Sequence, residues 1–206
     1  VFARSTTIQG EPSQLDAGIA YVRDDVYPML QHMDGCLGLS LMVDREQGTC
    51  IATTSWQDEE ALHGSFEDLA AVRSRATEIM GGKRQVEEWE IAAMHRDHLS
   101  APGSCARAVW LRTNQTDLDH GIGIYRDVLL PMLRELPGFC SASLLVNRDT
   151  QRACATTSFA SMETMAASRE QAWAIRERGV RDAGVDVIDA AEFELVMAHL
   201  RVPSLV

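Results

Sequence analysis

The sequence predicts an α+β fold built twice over: a tandem duplication of a ferredoxin-like β-α-β-β-α-β unit, the two halves closing one α/β barrel within a single chain. Two observations carry this expectation. Ala52-Thr53-Thr54-Ser55-Trp56 returns as Ala155-Thr156-Thr157-Ser158-Phe159, an offset of 103 residues that also pairs Pro28 with Pro131, Gly35 with Gly138 and Arg73 with Arg176. After one inserted residue, Glu90 matches Glu194 and His95 matches His199. A domain-sized period that occurs twice is a duplication, not a solenoid. Within each copy the apolar period also switches between 2 and 3.6 in the order strand, helix, two strands, helix, strand.

Residues 3–9 are rich in β-branched and small polar types and read as a first strand, which Glu11-Pro12-Ser13 interrupts. From Gln14 to Met33 the residues Leu15, Ile19, Val22, Val26, Met29, Leu30 and Met33 recur at helical spacing, with Pro28 expected to kink or end the helix. Leu37, Leu39, Leu41 and Val43 alternate, Asp44 to Gly48 turns, and Thr49 to Trp56 returns: a β-hairpin. Asp58-Glu59-Glu60 opens a second helix at the end where carboxylates suit the helix dipole, and it runs to about Ile79 before Gly81-Gly82. Glu88 to Met94 gives a fourth strand. The second copy repeats the order: strand 106–112, helix 117–136, hairpin 139–159, helix 161–183, strand 187–198. The expected boundaries are 1–97 and 106–206, joined by a linker over 98–105 that contains Ser100-Ala101-Pro102-Gly103-Ser104. The tail Val202-Pro203-Ser204-Leu205-Val206 is expected to pack over one edge.

Bulk properties remove several function classes. A net charge of −11 and a pI near 4.9 argue against nucleic acid and anionic membrane surfaces, both of which need a basic patch. The five cysteines show no CxxC, none is matched between the copies, and they lie in apolar runs. They read as small hydrophobes of a reducing, cytoplasmic compartment. No apolar run approaches the roughly 18 residues of a membrane span. The chain starts at Val1, and nothing present looks like a leader.

Strand parity sorts a polar set onto one sheet face: Arg4, Ser40, Thr53, Ser55 and Glu90, with repeat mates Arg107, Ser143, Thr156, Ser158 and Glu194. The first and fourth strands are neighbours in this topology, so Arg4 is expected beside Glu90 and Arg107 beside Glu194. The expected result is a hydrogen-bonded network between the two sheets; the alternative is a pair of ion pairs on a wet surface.

The helix ending Asp34-Gly35-Cys36-Leu37, with its counterpart Leu136-Pro137-Gly138-Phe139, resembles the antibiotic-biosynthesis-monooxygenase (ABM) family. So do the hairpin Leu41-Met42-Val43-Asp44-Arg45 and the strand end Thr54-Ser55-Trp56 before Asp58-Glu59-Glu60-Ala61. That family belongs to the dimeric α/β-barrel superfamily. The likeness covers nearly all of both repeats, so one chain is expected to do what two chains do in typical members, as an intrachain dimeric α/β barrel. The whole chain also looks like tandem-repeat mycobacterial proteins of unassigned function, through Ala3-Arg4-Ser5-Thr6-Thr7, Val86-Glu87-Glu88-Trp89 and Ala198-His199-Leu200-Arg201-Val202-Pro203.

The resemblance implies a ligand cleft between helices and sheet, and cofactor-independent monooxygenation of a small aromatic or quinol substrate, with no cofactor and no metal. On that reading His63, Arg4 and Arg107 are the catalytic candidates, His63 because an imidazole can act as a base near neutral pH. Trp56, Trp110, Phe159, Arg73 and Arg176 are the candidates for ligand binding. The aromatics can stack on a flat ring or simply fill the core. The arginines can meet an anionic group or simply suit the negative end of a helix dipole. The competing expectation is a non-enzymatic ligand-binding or stress-associated module. Haem binding comes third, because the Asn, Trp and His of the family's haem-degrading members are matched in neither copy. The expected partners are a small hydrophobic or aromatic molecule and a further copy of the chain in a homodimer.

Overall fold

The computed structural model describes residues 1–113 and 117–206. The first copy runs β1 (Phe2–Gln9), α1 (Leu15–Tyr21), α2 (Tyr27–Leu30), β2 (Cys36–Asp44), β3 (Thr49–Trp56), α3 (Glu59–Asp68), α4 (Ala70–Met80) and β4 (Lys83–Arg96). The second runs β5 (Cys105–Thr113), α5 (Leu118–Ile124), α6 (Leu130–Arg134), β6 (Phe139–Asn147), β7 (Arg152–Phe159), α7 (Met162–Ala167), α8 (Arg169–Ala183) and β8 (Val185–Leu200). The strand order is β1-β3-β2-β8-β5-β7-β6-β4, a closed antiparallel barrel of eight strands. The duplicated α+β architecture is thus the one the repeat predicts.

Two compact units emerge: Val1–Trp89 with Leu195–Val202, and Glu90–Glu194 with Pro203–Val206. In the first, β1 pairs with β3 from Phe2↔Trp56 to Gln9↔Thr49, and β2 takes the other edge of β3. In the second, β5 lies between β7 and β8, β6 lies beyond β7, and Glu90–Arg96 of β4 pairs with β6. Leu205 makes an isolated bridge with Met94, so the tail does hold an edge of the sheet. The last strands are longer than alternation alone suggests, because Lys83–Arg84 and Val185–Asp186 continue the ladder without apolar alternation.

Three local features shape the helices. The helix does not end at Pro28: a π turn, Val22–Val26, precedes it, and Tyr125–Leu129 does the same before Pro131. A proline lacks the N–H and crowds the carbonyl four residues earlier, and a widened turn accommodates both. Gly35 and Gly138, in the left-handed region at φ +73° and +70°, then turn the chain from the helices into β2 and β6. A Cβ on Gly35 would stand 2.5 Å from Ala61 Cβ, so this turn requires glycine twice over. Each second helix bends once, at Leu69 and at Ser168, with backbone bonds such as Arg73 N–H to Leu69 O and Ala172 N–H to Ser168 O continuing through the bend.

The helices of the first unit pack on one sheet face, where Leu39, Leu41, Val43, Cys50 and Trp56 meet Leu15, Ile19, Leu62 and Met80. Arg4 is on this helix-facing side, contrary to the parity expectation. It pairs with Glu88, not Glu90, and Arg107 pairs with Glu192, not Glu194. Glu90 instead takes Arg148. The opposite face carries Ser5, whose hydroxyl accepts from Trp89 Nε1 at 2.9 Å. The register of Arg4 is ambiguous in sequence because both faces of β1 mix polar and apolar residues.

Candidate functional site

Each unit mounts one arginine from its first strand under the start of its second helix. Arg4 donates from Nε and Nη2 to Glu88 Oε1 (2.9 and 2.7 Å), from Nη2 to Leu62 O (2.6 Å) and from Nη1 to Ser65 Oγ (2.7 Å). Arg107 repeats the set with Glu192 Oε1 (3.1 and 2.8 Å), Met165 O (2.9 Å) and Ser168 Oγ (3.4 Å). The carbonyls are presented by helices whose first turns are capped by Asp58 and by Ser161 in a capping box. Both guanidiniums are therefore fixed, each with a charge partner.

The second oxygen of each carboxylate differs. His63 Nε2 lies 3.2 Å from Glu88 Oε2, whereas Arg169 Nη2 donates to Glu192 Oε2 at 2.6 Å. Arg169 above all, and Arg107 after it, hold the Glu192 carboxyl below its usual range although burial opposes them.

Beside each arginine a cleft opens between helices and sheet. The cleft of the second unit offers about 120 Å³. Its walls are almost wholly apolar, from β5, β6 and β7 below (Val109, Leu144, Ala155, Phe159) and from α5 and α8 above (Ile122, Ile175). Cavities of about 150 Å³ with such walls take a benzene-sized ring. Four polar side chains reach it: Arg107, Arg176, Thr157 and Tyr125. Tyr125 is spent on Ser143 O at 3.1 Å, and burial raises its hydroxyl far above the usual value. Arg176 is not spent in that way: its buried Nε has no hydrogen-bond acceptor among the described residues, Glu177 Oε1 lying 3.9 Å away.

The equivalent cleft of the first unit offers about 60 Å³. The difference has a residue-level cause. Met80 and Leu69 project where the second copy has Ala183 and Ala172, and both are buried. Thr6 and Cys50 also stand where the larger cleft has Val109 and Ala153. Arg73 lines it, 7 % exposed, with Nη2 donating to Phe66 O at 2.6 Å and Nη1 without an acceptor among the described residues.

The sequence candidates divide on this geometry. Arg107, Phe159 and Arg176 come together around the larger cleft, with the Arg107 guanidinium 5.5 Å from the centre of the Phe159 ring. Arg4 and Arg73 line the smaller one, and both guanidiniums approach the Phe66 ring, at 5.1 and 4.5 Å. Trp56 is fully buried in the core with its Nε1 donating to Thr54 Oγ1. Trp110 meets Phe193 edge-on at 6.3 Å, apart from the cleft lining. His63 is 57 % exposed on its side chain, next to Glu88, and is not among the residues lining the cleft. His95 bonds Asp97 and His199 stacks on Tyr27, as strand-end histidines do.

The residues sequence reasoning missed are Ala172, Gly179 and Ala183, each smaller than its mate Leu69, Ala76 or Met80, and Tyr125, which brings a hydroxyl to the lining where the first copy has Val22. Their signal was present as mismatches between the copies, but the repeat draws the eye to matches. Among the described residues no cluster of His, Cys, Asp or Glu is arranged to hold a metal, and no helix is long and apolar enough to cross a membrane. All five cysteines are free and buried.

Comparison with known proteins agrees with this architecture. Residues 2–77 match the family model for antibiotic biosynthesis monooxygenase. Over its whole length the chain is 52 % identical to the uncharacterized protein Rv2557 of Mycobacterium tuberculosis, covering 92 % of it. It is 50 % identical to Rv2558 of the same organism, covering 88 %. An anthrone oxidase-like protein of known structure superposes with a TM-score of 0.69 at 13 % identity, over 97 % of this chain and 93 % of that one.

Proposed function

We propose that the second copy of this chain, which belongs to the family of these mycobacterial proteins and matches the antibiotic biosynthesis monooxygenase model over residues 2–77 of its first copy, is a cofactor-independent monooxygenase site for a small aromatic substrate of quinol or phenol type. The observation that supports this most is the pairing of an apolar, ring-sized cleft with the unsatisfied N–H of Arg176. An apolar wall selects a flat ring, and a few placed polar groups orient it.

The chemistry needs an electron-rich anion, because triplet oxygen takes electrons one at a time from the substrate itself. Ionising a ring hydroxyl supplies that anion. The lining contains no carboxylate or imidazole among the described residues, so the proton leaves to water at the cleft mouth. Arg176, whose Nε has no acceptor among the described residues, holds the resulting oxyanion in a site of low dielectric, where such contacts are strong. The ring carbon in the keto tautomer carries two hydrogens. One oxygen atom of O2 becomes the new C=O, and the other leaves as water with those two hydrogens, so no external reductant enters.

A second reading, ligand binding without turnover, is favoured by that same lack of a base in the lining. Oxygen uptake by metal-stripped protein against a panel of quinols separates the two. Uptake above background that falls at least tenfold in Arg176→Met and in Ala183→Met supports oxygenation. Saturable quinol binding with no uptake supports binding alone. Neither uptake nor binding overturns both.

A further inference from the structure

We propose that the smaller cleft of the first unit is a separate binding site for a short-chain monocarboxylate, a ligand of acetate to butyrate size. The carrying observation is Arg73. It is buried, its Nη1 has no acceptor among the described residues, and it lines a cleft of about 60 Å³. A guanidinium in that position is costly unless an anion answers it. Its neighbour Arg4 is answered by Glu88, whereas no carboxylate forms an ion pair with Arg73 among the described residues. Burial first, then the nearby charges of Arg4 and Arg84, push the Arg73 guanidinium below its ordinary value although Glu67 and Glu88 oppose them, and a bound anion would reverse that direction.

The walls choose the class of anion. Ile8, Val22, Val26, Leu30 and Met80 offer nothing to a fully hydrated tetrahedral oxyanion, but they suit a short alkyl tail. Arg73 lines one wall of the cleft, where its guanidinium would meet a carboxylate whose tail enters the apolar floor. The space that Met80 and Leu69 leave is too small for the ring proposed for the other cleft, so the two copies select different ligands.

Isothermal titration calorimetry of the full chain tests this with sodium acetate, propionate and butyrate, set against chloride and sulfate at matched ionic strength. The expected result is saturable binding of at least one of the carboxylates at one site per chain. Affinity should fall at least tenfold in Arg73→Met and in Ala76→Leu, which fills the cavity from α4, and stay within twofold in Arg176→Met. If near-UV circular dichroism shows Arg73→Met misfolded, Ala76→Leu decides. No saturable carboxylate binding, binding that survives in Ala76→Leu, or sulfate bound equally well would each overturn the proposal.

Discussion

Gly18 of α1 faces the side chain of Met80 at the end of α4: a Cβ on Gly18 would stand 2.3 Å from Met80 Cε. At the matched positions a Cβ on Gly121 would stand 3.8 Å from Ala183 Cβ, an ordinary contact. One methionine therefore both narrows the first cleft and demands a glycine opposite. Gly18→Ala is expected to destabilise by about 1–3 kcal/mol through overpacking. Gly121→Ala, mid-helix with room to spare, is expected to be neutral or to stabilise by about 0.5–1 kcal/mol. Urea denaturation of the two variants checks the contrast, and equal effects would show that Met80 does not set the difference.

The buried arginines predict an asymmetry within their ion pairs. Arg4 is 2 % exposed, whereas the Glu88 side chain keeps 33 % of its surface and has His63 at its other oxygen. Glu88→Ala strands a buried cation and is expected to cost about 3–5 kcal/mol. Arg4→Met leaves a carboxylate that reaches water, and is expected to cost less, about 1–3 kcal/mol, mainly from the unmet Leu62 O and Ser65 Oγ. The same denaturation midpoints decide, and the opposite ranking would contradict the pairing.

Acid should weaken the second unit through Glu192. Its folded carboxyl titrates below the ordinary 4.5, so its contribution is complete above that value and is lost as pH falls through the lower folded one. Glu192→Gln should therefore lose less stability than wild type on acidification below that ordinary value of 4.5. Parallel losses in the two proteins would mean that Arg169 and Arg107 do not perturb the group.

Element order was legible because periodicity and the repeat report on backbone and core together, and both copies had to agree. Strand facing was legible where one parity is wholly apolar, as in Leu39, Leu41 and Val43; it failed at the start of β2, where a register shift between Cys36 and Gly38 puts Cys36 rather than Leu37 in the core, and it failed at Arg4. There Thr6 and Ile8 share its face while Ala3 and Ser5 share the other, so composition does not choose. Phe159 and Arg176 could be named because their chemistry suits a flat, anionic ligand. The difference between the clefts is written in the sequence as the mismatches Leu69 against Ala172 and Met80 against Ala183, but these differ only in volume. Volume acquires meaning once the opposing wall is in place.

The claim that the second cleft takes one aromatic ring is tested most directly by calorimetric titration of hydroquinone, with oxygen excluded, into wild type and Ala183→Met. Wild type should bind one ring per chain, and the methionine that closes the first cleft should weaken binding at least tenfold when placed in the second. Binding of equal strength in both proteins would put the aromatic site elsewhere.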